Sequence, residues 1–186
     1  MRHRLTEYLD RMRGAENAPE RKPLSKIIWS GIGAFWGIYL ISVMNRLAPV
    51  DSADALFLVG SFGASAVLVY GAPQAEFSQP RNLIGGHIVS ALAGIAVYRY
   101  FPFDVSLAGA AAVSLSIVLM HATRTLHPPG GATALIAVIG SSQIHDLGFM
   151  FVVTPIATGA LILLLIALAV NNLSRNPKRH YPRYWW

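Results

Sequence analysis

Residues 125–137 read TLHPPGGATALIA, a histidine, two prolines and two glycines joined to the start of an apolar run. Pro128 and Pro129 fix their own φ and have no backbone N–H, and each pushes the residue before it toward extended backbone. Gly130 and Gly131 tolerate close backbone approach. The stretch therefore predicts an extended lead-in ending at a helix N-terminus at Pro129 or Gly130. The first N–H groups of such a helix lack internal partners, and the dipole places partial positive charge there. The apolar run 130–140 has only eleven residues. As helix it reaches about 16 Å, against a hydrocarbon core of about 30 Å. It crosses a bilayer only if the extended lead-in completes it; otherwise it re-enters.

The rest of the chain supplies the bilayer. Its 186 residues are 54% hydrophobic and 13% charged, about half the charge of a soluble domain. The deficit lies in long apolar runs at about 27–47, 55–70, 81–98, 105–121 and 147–170, separated by short polar loops. The fold class expected is all-α, a polytopic membrane helix bundle of about six transmembrane segments, interrupted at the Gln-Pro and His-Pro-Pro stretches. Residues 1–26 form a basic N-terminal segment in which Leu5, Tyr8, Leu9 and Met12 share a helical face, fit for an interfacial helix or a solvated tail. Residues 27–170 form the transmembrane domain, and 171–186 a basic, aromatic tail. Both ends are basic, so the positive-inside rule places both in the cytoplasm and requires an even number of crossings. Six result if 125–140 spans. The acidic loops 48–54 and 141–146 then face out, and Tyr181, Tyr184, Trp185 and Trp186 read as interfacial aromatics. Gly31, Gly33 and Gly37 allow close helix approach and leave room for self-association. The charge of +6 sits mostly at the two ends and reads as membrane orientation, not nucleic-acid binding. With no cysteine, thiol chemistry and cysteine metal sites are excluded.

Candidate site residues cluster at two interruptions. The first is His127, Pro128, Pro129, Gly130 and Gly131, with Thr133 on the first helical turn and Arg124 just before. The second is Gln79, Pro80, Arg81 and Asn82. A weak internal echo links them: 66–72 resembles 117–123, and each is followed by a polar-Pro pair and a Gly-Gly. Interrupted helices in paired repeats point to a transporter's binding site. Ser61, Gly63 and Ser65, from the small-residue run GSFGAS, complete the candidate lining. Irregular backbone at membrane depth needs burial in protein or a wet cavity. Arginine forks suit an anion, although both arginines also satisfy the positive-inside rule. His127 and His121 are candidate proton carriers, whereas His87 reads as a packed, satisfied side chain. No Asp or Glu falls well inside a span, which disfavours a cation path. Serine-hydrolase, P-loop and HExxH motifs are missing, and no metal or other cofactor is expected.

The blocks GSFGASAVLVYGAP (60–73), QPRNLIGGH (79–87) and HPPGGATAL (127–135) stand in an order that resembles the HPP family of small integral membrane proteins. The resemblance covers about 27–170. Members in cyanobacteria and plastids are implicated in nitrite transport, so the resemblance implies a carrier or channel for a small anion such as nitrite, not an enzyme. Some bacterial members append paired nucleotide-sensing domains; no such block is present here, so adenylate regulation is not expected. The expected setting is a bacterial inner membrane, with the lipid bilayer and a small anion as partners and no nucleic acid. Backbone N–H groups at both helix starts, with the Ser61, Ser65 and Thr133 hydroxyls, are expected to hold the anion. The alternatives are an intramembrane histidine-dependent enzyme and a non-transporting assembly or sensor protein.

Overall fold

No proline interrupts residues 24–47, and in the computed structural model they form one long helix, α1 (Leu24–Leu47). The structure describes residues 7–8, 10–12, 18–47, 52–101 and 104–186. Of the face expected for an interfacial helix, Leu5 and Leu9 fall outside them, as do Asp51 and Pro102. After α1 come α2 (Ser52–Ala66), α3 (Pro80–Tyr100), α4 (Val105–Ala122), α5 (Pro129–Ile139), α6 (Ser142–Leu147) and α7 (Thr158–Leu173). No strand occurs among the described residues.

Each break has a local cause. α2 runs into a wide helical turn, Val67–Gly71, and Ser78 Oγ donates to the carbonyls of Leu68 and Ala72 at 3.0 and 2.8 Å. Both carbonyls also accept backbone N–H groups, from Ala72 and Ala75, so the serine adds a second donor to each and pins the turn. Pro80 opens α3 at the one place where a missing N–H costs nothing. Asp104 caps α4 by accepting from the N–H groups of Ser106 and Leu107. The polar stretch expected as a loop at 141–146 is instead the short helix α6, capped by Ser141. The last span was expected from 147; the apolar helical stretch runs instead from Val152 to Leu173, and a kink at extended Thr154, followed by Pro155, interrupts it before α7.

Five helices among the described residues are long and apolar enough to cross a membrane, and α5 is shorter. The crossing made by α5 is composite. Asn82 Nδ2 donates to the Leu126 carbonyl at 2.9 Å. A Cβ added at Gly86 would meet His127, one at Gly94 the Ala134 carbonyl, and one at Gly130 the Ser90 hydroxyl. Residues 126–134 thus run parallel to α3, pressed on its stripe of Asn82, Gly86, Ser90 and Gly94. Beyond α5, Tyr98 at the end of α3 stacks on His145 at 3.7 Å. The Ser141 N–H donates to Asp54 at the start of α2. The extended lead-in and the short helix together therefore traverse the bundle, as the six-span reading requires.

α5 sits among α2, α3 and α4, while α1 and α7 pack on each other at one side of the bundle. Gly33 and Gly37 seat the ring of Tyr70; Gly31 meets nothing. The start of α1, the 71–80 turn and the tail share one face of the bundle. There Gln74 donates to the His180 carbonyl and Arg179 to the Lys26 carbonyl. The tail is docked rather than loose. Tyr181, expected at the lipid interface, is 2% exposed, and its hydroxyl donates to the Ser78 carbonyl at 2.8 Å.

Candidate functional site

Polar side chains meet where the three sequence blocks cross. Ser61 and Ser65 stand one turn apart on α2, His87 comes from α3, Thr133 from the first turns of α5, and His127 from the extended lead-in. All five are at most 3% exposed. Ser65 Oγ lies 2.8 Å from His87 Nε2 and 2.9 Å from His127 Nε2. His87 Nδ1 lies 2.8 Å from Thr133 Oγ1, which lies 3.0 Å from Ser61 Oγ. His127 Nδ1 lies 2.7 Å from the Phe77 carbonyl. The two imidazole centroids are 5.0 Å apart, and the ring of Phe62 packs against His87 at 5.1 Å.

Donor and acceptor capacity orders this chain. A carbonyl only accepts, so His127 Nδ1 carries the proton toward Phe77. With the imidazole neutral, His127 Nε2 accepts, and the Ser65 hydroxyl donates to it. The Ser65 oxygen then accepts from His87 Nε2–H. His87 Nδ1 is left as acceptor for the Thr133 hydroxyl, and Ser61 donates to Thr133 or to the Pro129 carbonyl, 3.1 Å away. Every polar atom of the five is satisfied, and the protons of Thr133, His87, Ser65 and His127 all point the same way, toward Phe77. No carboxylate touches the cluster, so neutral imidazoles are the state its burial favours.

The histidine is aimed inward by its neighbours. Pro128, expected to be extended before Pro129, is already helical at φ −51° and ψ −40° because it caps α5, which Pro129 opens, while the Gly86 surface lets the His127 backbone lie against α3. The α5 N-terminus offers fewer free donors than the sequence suggests. The N–H groups of Gly130 and Gly131 bond the carbonyls of His127 and Pro128 at 2.8 and 3.1 Å.

The remaining candidates go elsewhere. Gln79 is buried but spends its amide on the turn and the tail: Nε2 donates to Pro73 and Ala75, and Oε1 accepts from the Arg183 N–H at 2.8 Å. Pro80 is buried beside it at the start of α3. Arg81 Nη2 donates to the Thr123 carbonyl at 2.8 Å, tying the two loops together. A Cβ added at Gly63 would meet nothing within 4 Å. Arg124, held at φ 57°, lines a cavity of about 360 Å³ with His121, Asn82, Glu76 and Phe77. That cavity abuts the Phe77 end of the hydrogen-bonded chain. His121 is therefore a cavity residue, separate from the buried cluster.

His87 is packed and satisfied, as its place in a span suggested, and it is also the link between Ser65 and Thr133. The sequence carries a signal for it: Asn82, Gly86, Ser90 and Gly94 recur every four residues, marking the α3 face that meets another backbone. Among the described residues no three His, Cys, Asp or Glu side chains gather as metal ligands.

A model of the HPP transmembrane region matches residues 19–182. The chain is 45% and 47% identical to two transmembrane proteins of Dictyostelium discoideum, over 97% and 93% of its own length. It spans 58% and 60% of the length of those relatives. No solved structure matches it.

Proposed function

Since the chain belongs to the HPP family of integral membrane proteins, we propose that it moves a small anion, nitrite by preference, together with a proton. The observation that carries this reading is the closed Ser61–Thr133–His87–Ser65–His127 chain in the middle of an apolar bundle. Polar groups at membrane depth are costly and mark pathways and proton relays. A bundle that needed only packing would place apolar side chains there.

In this reading the cavity at Arg124, His121 and Asn82 is the vestibule. It lies on the face that also holds the basic ends of the chain, so the positive-inside rule makes it cytoplasmic, in a plasma membrane. Arg124 attracts the anion electrostatically. The hydroxyls and imidazoles are the inner donors, because the α5 N–H groups are engaged. A proton taken up by an imidazole supplies the positive charge that a monoanion in low dielectric demands. Opening of the Ser65–His127 contact would expose both partners to the substrate.

The test is anion uptake into liposomes holding the purified protein, comparing nitrite, nitrate, chloride and formate with and without a pH gradient. Saturable nitrite uptake that follows the gradient supports the reading. Absence of flux for all four, from folded protein, overturns it.

One geometry favours a second reading. Ser65 Oγ, His127 Nε2 and the Phe77 carbonyl on Nδ1 form the nucleophile, base and orienting group of an intramembrane hydrolase. Against it, His87 Nε2–H binds the same Ser65 oxygen and draws off its nucleophilicity. Covalent labelling of Ser65 by a fluorophosphonate, lost in Ser65→Ala, would favour the enzyme.

A further inference from the structure

A second cavity, of about 390 Å³, lies between the start of α1, the 71–75 turn and the docked tail. We propose that it binds a phosphate-type anion, borne either by an anionic lipid headgroup or by a soluble phosphate. Its size is that of a small-ligand pocket. Lys22, Lys26, Lys178 and Arg179 line it, and none of its lining residues is acidic.

Arg179 carries the argument beyond a basic loop. It is 1% exposed. Its Nη atoms donate to the carbonyls of Lys26 and Tyr70 and to the Ser30 hydroxyl, at 2.9–3.2 Å. All of these are neutral oxygens, and its Nε–H has no partner. A buried guanidinium whose contacts are all neutral oxygens, with one donor unpaired, carries a charge that an anion in the adjoining cavity would balance. Burial alone holds Arg179 below its ordinary range. Membrane orientation accounts for lysines in surface loops, but not for a buried arginine left one partner short. The pocket also opens beside lipid-facing surface: Ile27 and Ile28, at the start of α1, are 43% and 53% exposed.

The experiment uses the full chain in detergent. In native mass spectrometry, phosphatidylglycerol competes against phosphatidylcholine. In parallel, thermal unfolding is followed with inorganic phosphate at constant ionic strength. The variants are Lys26→Gln/Lys178→Gln, which change a half-buried and an exposed side chain but keep the Lys26 backbone carbonyl that Arg179 binds, and Arg99→Gln, a basic residue at the far end of α3, as control. The wild type is expected to retain phosphatidylglycerol about tenfold over phosphatidylcholine. The double variant loses that preference and Arg99→Gln keeps it. Stabilisation by inorganic phosphate, lost in the double variant, with no preference between the lipids, assigns the site to a soluble phosphate. If neither probe distinguishes the wild type from the double variant, the site does not exist.

Discussion

Gln79-Pro80 and His127-Pro128 each lead into a helix with a polar side chain before the proline, but Gln79 is extended and Pro80 opens α3 directly, whereas Pro128 is already helical and Pro129 opens α5. At Gln79-Pro80 that side chain turns back to the protein end, where it clamps the 73–75 turn and the tail through three hydrogen bonds. A full-length helix of 21 residues follows. At His127-Pro128 the side chain is buried in the bundle, and the helix that follows has only 11 residues. The same local grammar thus gives a structural clamp in one place and a buried proton-bearing group in the other. What separates them is depth: Gln79 precedes its crossing, whereas His127 replaces the first part of one.

The sharpest break of this comparison is between His127→Ala and Gln79→Ala. The first should abolish proton-linked flux, by at least about a hundredfold, while leaving folded protein in the membrane. It strands the Ser65 hydroxyl and the Phe77 carbonyl at a cost of about 2–4 kcal/mol. The second should lower thermal stability by about 1–3 kcal/mol, yet leave flux per folded molecule within about threefold; uptake and unfolding measured on one preparation check both. Next in size is Gly94→Ala. Its Cβ would overlap the Ala134 carbonyl, forcing α3 and α5 apart at about 1–3 kcal/mol, whereas Gly63→Ala should be silent in the same melt. Thr133→Val keeps the shape but leaves His87 Nδ1 unpaired, and should slow uptake about tenfold with a small loss of stability. The smallest effect concerns pH. Burial raises the Tyr181 hydroxyl above its ordinary value of 10.0. Folding then favours the protonated phenol, a contribution fully present below pH 10 and lost as pH rises toward the folded value. Tyr181→Phe should flatten the alkaline loss of thermal stability.

The membrane bundle, its span positions and the composite crossing were legible because apolar length, proline and the eleven-residue shortfall are local facts. So were Ser61, Ser65, Thr133 and His127, all of which reach one cluster. The role of His87 was not, because a histidine inside a span looks the same whether it bonds a backbone or another histidine. Nor was the clamp at Gln79, whose partners include a residue 104 positions away. The buried Arg179 and Tyr181 escaped for the same reason: a basic, aromatic tail has no periodicity to say that it folds back. The engaged N–H groups of Gly130 and Gly131 show that a helix start can be satisfied by its own lead-in, which composition alone does not reveal.

The central claim is that the buried hydroxyl–imidazole chain carries a proton with the anion. Its most direct test is internal pH recorded during nitrite uptake into liposomes holding wild type, His127→Ala or Gln79→Ala. The account predicts a pH change that scales with nitrite flux in wild type and Gln79→Ala and vanishes in His127→Ala. Nitrite flux in His127→Ala with an unaltered proton signal would contradict it.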